Sequence, residues 1–359
     1  MATIEVDDIK GMQTPAFDPL RTPYEVENMP FPQEGSLQEQ FTHLVRYAIL
    51  APSSHNTQPW MFRLFENGVA VYADYTRRLP VADPDNRELL MGVGAAIMNL
   101  RIAAIHFGFD VRVDYNFSGD SELPIAFVSL SPSLHSHGDE KIEKLFGAIS
   151  RRHTNRHPFL AARVADVMME RYREAGEESE ASIFISTDPK RNAAVAELVA
   201  YAGRLQQADP EFRKELGEWL RPNKTQKPDG MTGASFGIGD IPSAVVPWAV
   251  KSLDMGGMRA KHDERLCREA PALLVLYSED SIPAWLGVGE TLEGILLGLT
   301  RDGLQFSFFN MPIEIPEARL QLKEMLGLGM WPQLLLRIGY SMEQPVPSPR
   351  RPVEDCIIR

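Results

Sequence analysis

Three short segments of the chain concentrate residue types that can do chemistry. Residues 51–60 read Ala-Pro-Ser-Ser-His-Asn-Thr-Gln-Pro-Trp. Pro52 and Pro59 fix the backbone there, while Ser53, Ser54, Asn56, Thr57 and Gln58 supply donors and acceptors, a composition suited to a loop that hydrogen-bonds the polar edge of a ligand. A capping turn that satisfies its own backbone would use the same residues. Residues 150–159 hold Arg151, Arg152, Arg156, Thr154, His153 and His157. Guanidinium forks and a hydroxyl match phosphate oxygens, which makes a phosphorylated cofactor the natural ligand; a solvated charge run paired with the chain's own acids is the alternative. In the tail, 345–355, four prolines surround Arg350 and Arg351. Such a segment is extended and stiff, able to carry two arginines to a distant point.

A fourth segment, His135-Ser136-His137-Gly138-Asp139-Glu140, collects metal-ligand types. It reads as a polar loop ahead of a helix capped by Asp139, and no second ligand pair stands at a metal-binding spacing, so no metal site is expected.

The elements that must position these segments follow from pattern. Residues 1–35 carry scattered prolines and read as an extended surface arm. Leu37, Phe41, Leu44, Val45 and Ala48 recur at helical spacing, with Pro52 closing the pattern. Two alternating runs flank Asn67-Gly68, the preferred centre of a hairpin. Asp83-Pro84 opens a helix to His106 that ends at Gly108 and is followed by the strand FDVRVDYNF, and IAFVSL is a further strand. A second small-residue helix, 284–301, ends at Gly303 before LQFSFF.

These two helices match each other at a fixed offset of 195, Gly92, Gly94 and Gly108 corresponding to Gly287, Gly289 and Gly303. The match points to an internal duplication, with unrelated helices that both need close packing as the alternative. Residues 221–257 show no period but hold Met231, Phe236, Ile238 and Trp248, anchors that favour a lid over a linker.

Composition limits the function class. With 359 residues, 44% hydrophobic and 24% charged, the chain can build a large folded core. Its net charge of −12 repels nucleic acid unless the arginines are gathered in one place. Two cysteines, Cys267 and Cys356, form no CxxC pair, and no secretory signal or uninterrupted apolar run of 18 residues is visible, so a reducing, cytoplasmic setting without a membrane is expected.

Taken together, APSSHNTQPW, RRHTNR and PRRPVED resemble the motifs of nitroreductase-family flavin oxidoreductases, in the long single-chain form of the Acg-like proteins. The resemblance runs from about residue 37 to 358. It implies an α+β, nitroreductase-like α/β sandwich of two pseudo-symmetric halves, like a fused dimer, with antiparallel or mixed central sheets flanked by helices. The corresponding division is an arm over 1–35, a first half over 36–135, a second half over 136–342 with a lid-like insertion near 221–257, and a basic tail over 343–359.

By the same resemblance the cofactor is FMN, the reductant NAD(P)H, and the acceptor a small nitro, quinone or similar molecule; an FMN-sequestering protein without turnover is the alternative. Arg152, His153, Thr154 and Arg156 would lie at the FMN phosphate, ribityl chain and ring edge, with Arg350 or Arg351 completing the charge. Pro52, Ser53, Ser54, Asn56 and Gln58 would meet the ring, and Ser307, Phe308 and Phe309 would lie near its N5. Phe308 and Asn310 replace the family's proline and acidic residue. No catalytic acid or base is implied, and His55 and His153 are read as structural. The acidic stretch 173–180 stands where a second ring-binding loop would be, so one composite site per chain is expected.

Overall fold

The computed structural model describes residues 17–118, 120–133, 140–177 and 180–358. The segment weighed above for metal binding lies almost wholly outside them. After a 3-10 turn, Thr22–Asn28, the chain enters α1 (Leu37–Ala48) through a capping box in which the Ser36 hydroxyl accepts from Glu39 N and the Glu39 carboxylate accepts from Ser36 N. Phe41, Leu44, Val45 and Ala48 form its buried face. β1 (Trp60–Phe65) and β2 (Gly68–Ala73) pair as a hairpin whose two turn residues are Glu66 and Asn67, with Gly68 opposite Phe65 as the first residue of β2, so the turn is centred one residue earlier than Asn67-Gly68.

α2 (Arg87–His106) starts later than Asp83-Pro84 suggests. Asn86 adopts a left-handed φ of 57° and stops the helix from extending backwards, while the Asp83 carboxylate accepts from Leu89 N. β3 (Phe109–Tyr115), β4 (Ala126–Pro132), α3 (Glu140–Phe146) and α4 (Asp166–Glu177) follow.

The second half, which begins with α3 and α4, goes on through β5 (Ser182–Ser186), α5 (Pro189–Ala208), α6 (Pro210–Trp219), β6 (Leu220–Arg221), β7 (Met231–Thr232), α7 (Asp240–Ser243), α8 (Val246–Ser252) and α9 (Gly256–Arg268). It continues with β8 (Ala272–Ser278), α10 (Ile282–Arg301), β9 (Gln305–Phe308), α11 (Met311–Glu314), α12 (Pro316–Leu326) and β10 (Trp331–Gly339).

Two four-stranded antiparallel sheets result, in the orders β1-β2-β4-β3 and β5-β8-β10-β9. In chain order within each half both read first, second, fourth, third, and in both the long helix, α2 or α10, joins the second strand to the third. α2 and α10 cross in the interior. A Cβ built on Gly94 would lie 2.2 Å from Leu286 O, and one on Gly289 would lie 2.0 Å from Met91 O, so only glycine lets the two backbones touch. Both helices are long and apolar enough to cross a membrane by length and composition, but most of each is buried in the protein core.

Two segments differ from their sequence reading. Residues 17–35 lie mostly at the surface but carry a 3-10 turn and are tied down at points: Val26 is 1% exposed, Tyr24 Oη donates to Ser348 O (2.9 Å) and Pro19 O accepts from Arg350 N (2.8 Å). Residues 221–257, aperiodic in sequence, form the parallel β6–β7 pair, a 3-10 turn and two short helices, four and seven residues long. Helices so short show no hydrophobic period. Pro242 and Pro247 sit within their first turns, where a missing N–H is harmless.

Candidate functional site

A cavity of about 390 Å³ lies at the seam of the two halves. Its floor is the loop between α1 and β1, which is wound into an unusual backbone. His55, Asn56 and Gln58 all have left-handed φ angles, 52°, 56° and 54°. Such a conformation costs roughly 1–2 kcal/mol for each non-glycine residue, so compensation is required. Buried side-chain amides provide it. Asn56 Nδ2 donates to Gly230 O (2.9 Å) and Pro349 O (2.8 Å), and Asn56 Oδ1 accepts from Arg350 Nη1 (2.6 Å). Gln58 Nε2 donates to Pro228 O (2.8 Å), and Gln58 Oε1 accepts from Arg351 N (2.9 Å).

The loop, the roof segment and the tail are thereby locked together. Pro52, Ser53, Ser54 and Asn56 line the cavity; Gln58, fully buried, stands behind its wall. The tail runs inward, bridging to β1 through Phe62 N to Cys356 O (2.8 Å) and Ile358 N to Phe62 O (2.7 Å). It brings Arg350 to the cavity but turns Arg351 away, where its guanidinium binds Gln58 O and Asp355 O.

The extended segment 152–156 forms one wall, tied to β9 by Asn155 N donating to Phe306 O (2.9 Å). Arg152, His153, Thr154 and Arg156 all line the cavity. Arg152 donates from Nη2 to Leu50 O (2.6 Å) and pairs with Glu293 of α10 at 3.3 Å; both side chains are buried. Arg350 donates from Nη2 to Leu50 O and Ala51 O (3.1 Å each). Burial beside these cations pushes His153 down to about 3, and burial with Arg259 and Arg156 nearby pushes His55 down to about 4, so both imidazoles are neutral at physiological pH.

Ser307 and Phe308 of β9 and Phe309 just after it also line the cavity, with Asn310 beside them. Asn310 is committed inward, Nδ2 donating to Glu88 Oε1 (3.2 Å) and Oδ1 accepting from Leu335 N (3.1 Å).

Several wall residues carry no local sequence signal. Glu88 accepts from the Ser54 hydroxyl, and Glu314 accepts from Gln206. Burial and the nearby Glu88 charge raise Glu314 well above the usual carboxylate range. Arg337 of β10 is 1% exposed and lies 3.9 Å over the Phe159 ring, and Arg259 of α9 flanks Phe236. Arg337 could have been found, since a lone arginine inside the buried run Leu334-Leu335-Leu336-Arg337-Ile338 demands a reason.

The roof is the 221–257 excursion. Met231, Phe236, Ile238 and Val246 face the cavity. Asp229 fastens the segment by pairing with Arg77 and, at 2.7 Å, with Arg221.

Two α+β sheets around one arginine-walled, small-molecule-sized cavity are the architecture of a nitroreductase-like protein. Relatives in sequence agree with that class. No family model matches the chain. It is 27% identical over 355 residues to "Putative NAD(P)H nitroreductase Rv3131" of Mycobacterium tuberculosis, covering 92% of this chain and 93% of that protein. It is 28% identical over 323 residues to "Putative NAD(P)H nitroreductase acg" of the same organism (87% and 93%), and 23% identical over 333 residues to "Probable NAD(P)H nitroreductase PigM" of Serratia (88% and 92%). Proteins named as nitroreductases, Acg among them, are thus the chain's relatives over about 90% of its length. Among solved structures, the FMN and NADPH-dependent nitroreductase NfnB of Sphigopyxis is 22% identical over 60% of this chain and 98% of its own, with a TM-score of 0.42, a superposition too loose to add to the sequence relationship.

Proposed function

We propose that the protein is an FMN-dependent oxidoreductase that takes hydride from NAD(P)H and reduces a small nitro, quinone or similar acceptor. The observation that carries this reading is the convergence of three segments far apart in sequence, 52–56, 152–156 and Arg350, on one cavity whose volume falls in the range typical of cofactor pockets. The residues present fit a phosphorylated group. Arg350 Nε is buried with no hydrogen-bond partner, and Arg152 Nε has only the Glu293 carboxylate, 3.3 Å away; an unmet buried guanidinium donor in a chain of net charge −12 favours an anionic ligand.

FMN, when bound, supplies the hydride chemistry itself. The chain's residues bind and orient. Arg152, Thr154 and Arg350 would hold the phosphate and ribityl end, and Ser53 and Ser54 would meet the ring edge. Asn56 acts one step back by holding Arg350 and the roof in place. Neutral His55 and His153 add no further charge, and burial beside Glu88 makes the Glu314 carboxyl at the far wall harder to ionise. The Met231 and Phe236 roof excludes water.

The first test is titration of FMN against the purified protein, followed by steady-state NADH and NADPH oxidation with a quinone or nitroaromatic acceptor. Micromolar or tighter FMN binding with turnover is expected, and a protein that takes up no FMN refutes the proposal. A second reading, flavin sequestration, is favoured by the roof alone. It predicts FMN bound without turnover until the Asp229 fastening is broken.

A further inference from the structure

The cavity has more positive charge than one flavin phosphate uses, and that charge is divided. Arg152 and Arg350 share acceptors at Leu50 and stand over Glu293. Arg156 lies four residues further along the wall segment. There it meets two arginines from other elements. The Arg156 and Arg259 guanidiniums lie 4.6 and 5.3 Å from the same Phe236 ring, and Arg337 lines the same end of the cavity from β10.

Within this second group the only acidic side chain lining the cavity is Asp263, 3.7 Å from Arg259 Nε. Arg337 gives Nη2 to His157 O (2.8 Å) and Asn155 O (3.3 Å), but its Nε and Nη1 are buried without a partner. Arg156 has no acceptor better than Met231 Sδ at 3.7 Å. Three guanidiniums against one carboxylate, with buried donors unmet, form a site that binding of an anion would complete.

We infer that Arg259 and Arg337, with Arg156 on the boundary, form a second anion subsite that takes a phosphate or carboxylate carried by the second substrate. This rests on the flavin reading above, in which the phosphate of FMN occupies the Arg152–Arg350 end. The lid is then a recognition element as well as a cover, because Phe236 and Arg259 come from the roof and from the helix that follows it.

Arg259→Gln is the informative variant, since the Arg259 side chain is 41% exposed and its removal leaves no buried charge unpaired except the adjoining Asp263. FMN-loaded wild type, Arg259→Gln and Arg259→Lys are titrated by calorimetry with four unreactive probes, NADP+, NAD+, benzoate and benzamide. FMN affinity should stay within twofold in Arg259→Gln, while an anionic probe weakens about tenfold or more and is restored in part by Arg259→Lys.

Loss of NADP+ binding alone identifies a 2′-phosphate, loss of both nucleotides a pyrophosphate, and loss of benzoate but not benzamide an acidic acceptor. Unchanged binding of all four probes overturns the inference. So does a tenfold loss of FMN affinity, which would make this group the flavin's own phosphate site. A wild type that binds no FMN is a different failure, that of the flavin reading itself.

Discussion

Asn56→Ala should be among the most damaging single substitutions in the cavity wall, and its size can be worked out in advance. The side chain is 6% exposed and makes three hydrogen bonds, two donated to Gly230 O and Pro349 O and one accepted from Arg350. Neutral buried bonds contribute about 1 kcal/mol each and one to a charged partner about 2. Alanine must also hold φ near 56°, at roughly 1 kcal/mol beyond what asparagine pays. The expected loss is therefore about 5 kcal/mol in urea unfolding followed by tryptophan fluorescence. Asn56→Gly removes the same bonds but not the backbone freedom, so it should recover about 1 kcal/mol of the loss. Because the amide joins loop, roof and tail, trypsin should also cut after the exposed Lys224 faster in both variants. A loss below about 2 kcal/mol, or a glycine variant no better than alanine, would refute the argument that this amide compensates the strained loop.

Three further outcomes follow from the same structure. Gly289→Ala puts a methyl 2.0 Å from Met91 O and should abolish soluble expression or lower the melting temperature steeply. Gly294→Ala in the same helix meets only Met98 Cε at 3.5 Å and should be neutral or stabilising by up to about 1 kcal/mol. His153, held down to about 3 in the fold, takes its proton only in the unfolded chain between pH 6.5 and that value, so its contribution is a stability lost as pH falls. In urea unfolding at pH 7.5, 6 and 5, wild type should therefore lose stability relative to His153→Gln, at a slope approaching about 1.4 kcal/mol per pH unit below 6.5. Asp229→Asn leaves the partly buried Arg77 and the buried Arg221 without their shared carboxylate; hydrogen exchange across 222–252 should rise sharply, with a smaller change in the two sheets.

The elements were legible where local chemistry and tertiary packing agree. The Ser36–Glu39 box and the paired glycines of α2 and α10 each name a backbone requirement that the fold then meets. The direction of loop side chains was not legible. Composition marks 51–60 as rich in polar groups, but not that three left-handed residues turn the Gln58 amide away from the cavity and occupy that of Asn56 with protein partners. Arg351 shows the same limit: adjacent residues in an extended tail face opposite ways, so only one of the pair can reach a given cavity. The far wall was invisible for another reason. Glu88, Gln206, Arg259 and Glu314 come from four different helices and form no motif along the chain.

The shared strand order makes the differences between the halves meaningful. Between α1 and β1 the first half has residues 49–59, the loop that floors the cavity; between α4 and β5 the second half has only 178–181, too few to build such a floor. Between β1 and β2 the first half has a two-residue turn, whereas the second half places α5 through α9 between β5 and β8. The half that lacks the floor thus carries the roof, with Phe236 and Arg259 in or just after it. A separate pair of identical subunits could not divide labour in this way, because each change would appear twice. Joining the halves in one chain lets one cavity keep both sets of features, and places a positive wall, Arg152 to Arg350, inside a chain whose net charge would otherwise turn anionic ligands away.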